Sequence, residues 1–335
     1  MRALALLSGG LDSTLAIKII LDQGIEVEAL NFKSVFCTCT PKTRSCSAAA
    51  TAAQQLGVKL YALSSTSEFL EIVKKPKHGY GRNMNPCLDC RILMFRKAHE
   101  RMKETGGSFL ITGEVLGQRP MSQRLNAMRL IDEEAGVTGL VVRPLSAGVL
   151  EPSIPELKGW VDRNKLLSIE GRSRKPQIEL AESFSINDYP CPAGGCRLTD
   201  PGFAARMKDL IEHEPELLLS DVKLLTVGRH FRISPTAKAV VGRNEEENEK
   251  LSTLRQDKDR RMEVVGLPGP TTIVRGQVSN EDLLLAAAIT ARYSKGVDLP
   301  QVTVAVWNGN AAEASELCVA PADTASLEAT RVCRK

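Results

Sequence analysis

The chain has 335 residues, 43% of them hydrophobic and 25% charged, and a formal net charge of +4. This length is enough for two or three domains with buried cores, and no apolar run is long enough to cross a bilayer. The charge is compatible with nucleic acid as a partner but is too small to indicate one. The N-terminal apolar run ends in a glycine turn rather than a small-residue cleavage site, so we expect a cytoplasmic protein without a membrane partner.

The first predicted strand, ALALL, runs directly into the segment SGGLDST (8–14) and then into a helix with one apolar face. Two glycines let the backbone approach a ligand closely, and the first N–H groups of a helix attract phosphate. A helix cap formed by Asp12 or Ser13 is the simpler alternative. A single cap needs neither two glycines nor a Ser-Thr pair, so the segment predicts phosphate binding.

Strand-like runs alternate with helical patterns through the first 145 residues, which predicts an α/β fold with a doubly wound parallel sheet. Ligands of such sheets bind beyond the carboxyl ends of the strands, so we expect the segments that follow the strands to converge on one cleft. The predicted strands are 3–7, 25–32, 58–63, 109–114 and 140–145, and the predicted helices are 13–23, 45–56 and 91–105.

The pattern changes twice beyond this region. From about residue 146 to 220 it is mainly helical, and after that short strand patterns surround one helical stretch at 281–293. The sequence therefore predicts three parts: a first domain at 1–150, a helical extension at 151–220 and a smaller α+β domain at 221–335.

SGGLDST lacks the Gly-Lys pair of the other common phosphate loop. It resembles the PP-loop of the ATP pyrophosphatase superfamily, whose members cleave ATP between the α and β phosphates. The resemblance implies a HUP-like fold for the first domain, ATP and Mg²⁺ as ligands, and a catalytic role for Asp12. By that resemblance pyrophosphate and magnesium are held by Ser8, Gly9, Gly10, Leu11, Asp12, Ser13 and Thr14, and adenine is flanked by Leu30, Asn31 and Phe32.

A second motif, TGEVLGQRPMSQRLNAMRLID (112–132), is followed by RPL (143–145). It resembles the TGE-x-LGQ-x-SSQ-x-x-x-N segment of tRNA 4-thiouridine synthetases, although this chain has PMSQ in place of SSQ. The family also carries a THUMP domain and in some members a rhodanese-like tail, and we expect neither here. Since the segment closes the nucleotide site in that family, the resemblance makes Gly113, Glu114 and Gln118 candidates for the ATP site.

Nine cysteines are many for a cytoplasmic chain of this size, and in a reducing compartment they indicate metal binding or catalysis rather than disulfides. Seven of them fall into three groups along the sequence, and the last two are isolated. The groups are Cys37, Cys39 and Cys46, then Cys87 and Cys90, then Cys191 and Cys196, and the isolated pair is Cys318 and Cys333.

The segment NPCLDCR (85–91) resembles the NPC-x-x-C segments of tRNA 2-thiouridine synthetases and of cluster-dependent thiolases. That resemblance implies a [4Fe–4S] cluster held by Cys87, Cys90 and Cys191, with Cys191 and Cys196 as catalytic thiols. Two alternatives stay open: a structural zinc site that includes Cys196 as a fourth ligand, and a persulfide on Cys191 without a cluster.

The first cysteine group, in FCTCTPKTRSC, follows the second predicted strand. It is interpreted as a second sulfur carrier or as a source of an extra ligand. An inert surface loop is the equally simple alternative.

Three segments near the C-terminus, 240–251, 267–274 and 283–296, resemble the NFACT-R RNA-binding domain. That family usually has an Asp-x-x-x-His before its Pro-Gly loop, and this chain lacks the histidine. A run of basic side chains precedes the loop and is expected to contact phosphate, or else to form a solvated charged face. The run consists of Arg255, Lys258, Arg260 and Arg261.

Together these motifs predict an ATP-dependent tRNA uridine thiolase that adenylates a uracil carbonyl and then exchanges its oxygen for sulfur. The expected partners are tRNA, a sulfur donor (sulfide or a persulfide carrier) and a second copy of the chain in a homodimer. The alternatives are a PP-loop ligase or base-remodelling enzyme with structural zinc, and an RNA-binding protein with a regulatory ATP domain.

Overall fold

The computed structural model describes residues 1–37, 45–64, 66–187, 189, 195–309 and 313–333, with only the backbone described at 45–47. The chain forms two compact units, Met1–Thr199 and Asp200–Lys335. No helix in the described part of the chain has the length and apolar composition needed to span a membrane.

The first unit contains a parallel sheet with the strand order β3-β2-β1-β4-β5. This order confirms the predicted doubly wound fold, and it reverses direction between β1 and β4, where α/β sheets bind ligands. The strands are β1 (Arg2–Leu6), β2 (Glu26–Lys33), β3 (Lys59–Ser64), β4 (Phe109–Ile111) and β5 (Val141–Val142). The helices are α1 (Leu11–Leu21), α2 (Ser45–Leu56), α3 (Thr66–Lys74), α4 (Cys87–Glu104), α5 (Leu125–Glu134), α6 (Ile154–Leu157) and α7 (Lys175–Ser183).

Side chains alternate across β1 because successive residues of a strand point to opposite faces of the sheet. Ala3 and Ala5 pack with α1, α2 and α7 on one face. Leu4 and Leu6 pack with α4 and α5 on the other face. A strand buried on both sides needs apolar residues at every position, which is why the first strand reads as an uninterrupted apolar run.

Residues 151–199 belong to the first unit, so the observed division lies inside the predicted extension at 151–220. This segment is less helical than expected. Two prolines and two glycines interrupt its helical pattern between residues 152 and 171, and such residues end helices. Its later part folds back onto the sheet through α7, where Ala181 and Ile186 join the same core as α1.

The second unit contains a six-stranded antiparallel sheet with the order β11-β10-β8-β9-β7-β6. The predicted separate α+β region is therefore confirmed, and Ser315–Val319 adds a strand that the sequence did not indicate. The strands are β6 (Arg229–Ser234), β7 (Ala237–Val241), β8 (Arg260–Val264), β9 (Thr272–Gly276), β10 (Val302–Asn308) and β11 (Ser315–Val319). The helices are α8 (Pro201–His213), α9 (Leu219–Leu224), α10 (Glu245–Leu254), α11 (Asn280–Arg292) and α12 (Thr324–Thr330).

Candidate functional site

The turn between β1 and α1 begins at Gly9, whose φ of 78° lies in the left-handed region that favours glycine. A Cβ at this position would lie 2.4 Å from the backbone nitrogen of Ala49 on α2, so the turn also needs a residue without a side chain. The N-cap of α1 is Gly10, which has no side chain to cap the helix. The first turn of α1 therefore keeps the open N-terminus that phosphate binding needs.

The hydroxyl groups of the turn bond mainly to the turn itself. Ser13 Oγ donates to Gly10 O over 2.9 Å and Thr14 Oγ1 donates to the same oxygen over 3.1 Å. The hydroxyl of Ser8 lies 3.1 Å from that of Ser13. Ser13 and Thr14 are buried, so their side chains shape the turn and leave its backbone to face a ligand.

The loop after β4 packs directly against this turn. A Cβ on Gly113 would lie 2.4 Å from the carbonyl carbon of Asp12, so only glycine allows the two segments to approach this closely. Two motifs that are about 100 residues apart in sequence thus meet at the carboxyl ends of neighbouring strands.

The carboxylate of Asp12 has two unequal oxygens. Gln118 Nε2 donates to Oδ2 over 2.7 Å, and the guanidinium of Arg174 lies 3.4 Å from the same oxygen. Oδ1 is buried and has no hydrogen-bond partner among the described residues. A carboxylate oxygen left in this state suits a hard divalent cation such as Mg²⁺.

The remaining nucleotide candidates occupy different environments. Leu11 and Leu30 are buried in the cores on either side of the sheet, so only their backbone is available to a ligand. Asn31 Nδ2 donates to Leu7 O over 2.9 Å and holds β2 to the end of β1. Phe32 lines an apolar pocket of about 350 Å³ between the end of β2 and α4.

Glu114 is buried and bonds to two arginines. Arg143 Nε donates to one carboxylate oxygen over 3.0 Å, and Arg91 pairs with the other. Burial alone raises the pKa of this carboxyl, but the charges of Arg91 and Arg143 outweigh it and hold the pKa below its usual value. Arg143 also binds both oxygens of Asp132, at 2.9 and 2.7 Å. Both oxygens of Glu114 are thus engaged inside the protein.

Arg91 connects this loop to the cysteines, because it follows Cys90 in the first turns of α4. The helix begins at Cys87, four residues before the predicted start at residue 91, and Asn85 Nδ2 donates to Cys87 Sγ over 2.9 Å. The ion pair between Arg91 and Glu114 therefore joins the loop after β4 to the C-x-x-C pair.

Cys37 and Cys196 are neighbours although 159 positions separate them in the sequence. They form an isolated antiparallel β-bridge, in which Arg197 N donates to Phe36 O over 2.8 Å and Arg197 Nε donates to Cys37 O over 3.1 Å. The first and third cysteine groups thus meet at this bridge.

These thiols also lie close to the C-x-x-C pair. Burial raises the pKa of Cys90 well above its ordinary value, and the nearby Cys196, Cys87 and Cys37 raise it further. Burial likewise raises the pKa of Cys87, and it raises that of Cys196 to about 11. Burial therefore outweighs the stabilisation that the N-terminus of α4 would give to the thiolates of Cys87 and Cys90.

Thiolates are the ligands that iron–sulfur clusters and structural zinc share, so the donor chemistry of this group fits either cofactor. Within the described ranges, no three or more Cys, His, Asp or Glu side chains are arranged around a common point as metal ligands. Cys191 and Cys39, and the side chain of Cys46, lie outside the described residues.

The basic run of the second unit lies on and before β8. Arg255 Nη1 donates to Gly309 O over 2.7 Å, and Arg261 stacks over the indole of Trp307 with 4.1 Å to the ring centroid. Lys258 is exposed and Arg260 is half-buried. A guanidinium on an indole, flanked by other cations, has the composition of a surface that stacks and neutralises nucleic acid.

Sequence reasoning missed three contributors to the first unit's site: Arg174, Gln177 and the position of Cys37. Gln177 Nε2 donates to Gln118 Oε1 over 2.9 Å, which links α7 to Asp12 through Gln118. The segment GRSRKPQ (171–177), with its glycine and three cations, was the available signal.

Two family models match the chain. Residues 1–149 match the family described as "Thiamine biosynthesis protein (ThiI)", and residues 228–330 match the "NFACT protein RNA binding domain". The resemblances of the first domain to the tRNA 4-thiouridine synthetases and of the C-terminal segments to the NFACT-R domain are therefore confirmed. Neither match includes residues 150–227, which contain α7 and Cys196.

The curated relatives are tRNA-modifying proteins by name. The chain is 28% identical over 141 residues to the tRNA-specific 2-thiouridylase MnmA of Marinobacter nauticus, covering 39% of this chain and 35% of that protein. It is 32% identical over 123 residues to a probable tRNA sulfurtransferase of Methanosarcina mazei, covering 35% and 29%. The chain thus spans about a third of the length of these relatives.

Among solved structures, a 4-thiouridine synthetase in complex with RNA and bound ATP is 21% identical, with a TM-score of 0.36. The match covers 64% of this chain and 51% of that one. A TM-score this low means that the two folds do not superpose closely. The fold of each unit is therefore assigned from the order of its strands.

Proposed function

We propose that the chain is an ATP-dependent tRNA uridine thiolase. One observation carries the proposal: a phosphate-binding type of turn and a buried group of thiols lie in one unit, joined by the contact between Glu114 and Arg91. The names of the relatives support tRNA as the substrate, and the match to an RNA-binding family supports a role for the second unit in holding it.

In the first step, the uracil carbonyl oxygen attacks the α-phosphorus of ATP, and pyrophosphate leaves. The adenylated oxygen is then a good leaving group, so sulfide attacks the ring carbon and AMP departs. The backbone N–H groups at the start of α1 stabilise the charge on the departing pyrophosphate. Magnesium, when bound, would neutralise the same charge, and Asp12 Oδ1 is the oxygen available to hold it.

The sulfur is proposed to enter at the thiol group. A [4Fe–4S] cluster held by Cys87, Cys90 and Cys191 would supply an open iron for hydrosulfide, and zinc in the same place would be structural. The donor is sulfide or a persulfide carrier. Cys196 lies beside Cys90 and is the described thiol of the third group that can take part.

The proposal is tested by following ATP cleavage with purified protein and unmodified tRNA. The wild-type chain should exchange pyrophosphate into ATP and form a thiouridine that mass spectrometry detects in the digested tRNA. Asp12→Ala should reduce the exchange by about 10²-fold or more, because it removes the carboxylate oxygen available to hold magnesium against the departing pyrophosphate.

Asp22→Ala is the matched control, since Asp22 is the exposed C-cap residue of α1 and pairs with Lys18. Exchange stimulated by a free carboxylate instead of tRNA would favour a ligase. Full exchange by Asp12→Ala would overturn the assignment of the turn.

A further inference from the structure

We infer that Gln177 is a positioning residue that turns Asp12 toward magnesium by acting through Gln118. The inference rests on the proposed ATP-dependent function and deepens it. It assigns a role to α7, which neither matched family region contains.

The orientation of the two amides follows from the chemistry of their partners. A carboxylate can only accept hydrogen bonds, so Gln118 must present its NH₂ group to Asp12. Its carbonyl oxygen then faces away from Asp12 and accepts from Gln177 Nε2 over 2.9 Å. Without that donor, the amide of Gln118 could turn its oxygen toward the carboxylate and repel it.

The result is an asymmetric carboxylate. Asp12 Oδ2 receives Gln118 at 2.7 Å and lies 3.4 Å from the guanidinium of Arg174, while Oδ1 stays buried without a partner in the described part of the chain. Gln118 and Arg174 thus both act on Oδ2. Oδ1 is left available to bind a cation.

The environment of Gln177 argues against a purely structural role. The side chain is 0% exposed, and its own carbonyl oxygen has no partner among the described residues. A buried polar atom without a partner costs stability, so packing alone would favour an apolar residue of the same size. What the amide of Gln177 contributes instead is the hydrogen bond that orients Gln118.

The backbone fixes the position of α7 independently of this amide. Gly171 N donates to Leu116 O over 2.7 Å, and Leu116 forms a parallel bridge with Glu170. The helix also packs on α1 through the first unit's core. A substitution of Gln177 should therefore leave the helix in place and change only the hydrogen bond.

The test compares ATP dissociation constants measured by calorimetry with Mg²⁺ and with EDTA. The ratio of the dissociation constant in EDTA to that with Mg²⁺ is the metal-dependent gain in ATP affinity. A general loss of folded protein does not change this ratio. Gln177→Met, which keeps the volume but removes the donor, should reduce this gain about tenfold. AMP binding in EDTA should be unchanged. The exposed neighbour Lys175 supplies the control, Lys175→Gln, which should retain the full gain.

A double-mutant cycle identifies the route of the effect. If Gln177 acts through Gln118, Gln118→Met combined with Gln177→Met should lose no more than Gln118→Met alone. Effects that multiply, or an unchanged gain in Gln177→Met, would overturn the inference while ATP binding stands. A wild-type chain that does not bind ATP would instead overturn the proposed function, and the magnesium role of Asp12 with it.

Discussion

Each unit buries a carboxylate between two cations, but the two arrangements lie at different places in the fold. In the first unit, Glu114 follows a strand at the ligand-binding edge of the sheet and pairs with Arg91, which follows Cys90 on α4. In the second unit, Asp209 of α8 pairs with Arg232 and Lys238 on neighbouring strands. The two ion pairs thus differ in their place: one adjoins the carboxyl ends of parallel strands, where α/β sheets bind ligands, and the other lies between a helix and an antiparallel sheet.

The charge of the units differs as well. Residues 1–199 contain 26 Lys and Arg against 20 Asp and Glu, and residues 200–335 contain 18 against 20. The unit that matches an RNA-binding family is thus slightly acidic. Its attraction for a phosphate backbone has to come from a local cluster, while the first unit offers a general positive field.

The largest expected effect is the loss of a metal centre from the first unit. Anaerobically purified protein should contain about four iron and four acid-labile sulfide per chain if one [4Fe–4S] cluster is bound. Cys90→Ala should lose this iron, because Cys90 is one of the proposed cluster ligands and its thiol interacts electrostatically with Cys196, Cys87 and Cys37. Colorimetric iron and sulfide assays measure it.

Cys318→Ala is the control from the second unit, where the thiol is exposed on β11, and it should retain all of the iron. A colourless protein with one zinc, lost equally in Cys191→Ala and Cys196→Ala, would make the site structural. The contrast between a first unit with a reactive metal centre and a second unit without one would then fail. The proposed ATP-binding turn between β1 and α1 would be unaffected.

The next effect is on stability, and it tests whether the two ion clusters are equally strong. Glu114→Gln and Asp209→Asn should each destabilise the protein by about 3–5 kcal/mol, because each leaves buried cations without their carboxylate. Hydrogen exchange followed by mass spectrometry should locate the larger loss of protection in the unit that carries the substitution. The exposed residues Glu133 and Glu328 supply the controls Glu133→Gln and Glu328→Gln.

Acid distinguishes these losses from general damage. The folded-state pKa of both Glu114 and Asp209 is lowered, since their arginine and lysine partners outweigh burial. Their stabilisation is therefore complete above the unfolded pKa near 4 and is lost as the pH falls through the folded value. The difference between wild type and each variant should shrink in that acidic range, and a difference independent of pH would contradict the ion-pair explanation.

The smallest effect concerns RNA and the local charge of the second unit. Lys258→Gln combined with Arg260→Gln should reduce the magnitude of the negative slope of log K against log salt concentration by roughly 1.5, since each phosphate contact contributes about 0.7–0.9. Fluorescence anisotropy with labelled tRNA at several salt concentrations measures the slope. An unchanged slope would remove the basic run from the interface.

The matched control is Lys208→Gln with Lys250→Gln, which removes two exposed lysines from helices of the same unit. Each pairs with a glutamate one turn away and should contribute little. An equal drop in the control would mean that total charge, rather than the run before β8, attracts RNA.

The sequence was sufficient for features in which neighbouring residues determine the outcome. The doubly wound sheet followed from the alternation of strand and helix patterns, and the helix predicted at 45–56 has the observed bounds. The turn after β1 was recognisable because glycine, hydroxyl and carboxylate residues follow one another directly. Within the predicted helical extension at 151–220, the prolines and glycines between residues 152 and 171 separate short helices.

Contacts between distant segments were not predictable from spacing. Cys37 and Cys196 meet only because the loop after β2 and the end of the first unit return to the same place. Gln177 reaches Asp12 through Gln118, and no local pattern links these three positions. Glu114 was predicted as a candidate for the ATP site, and the arginines that engage both of its oxygens come from α4 and from the residue that follows β5.

The cluster of Glu114, Arg91, Arg143 and Asp132 also constrains how this chain can diverge. Replacing one of the four residues leaves a buried charge without its partner. A stepwise change to a different set of residues therefore passes through a poorly folded variant. Descendants of this chain should therefore keep all four residues or exchange them as a group. Since Arg91 adjoins the C-x-x-C pair and Glu114 follows Gly113, changes in these two segments should be inherited together.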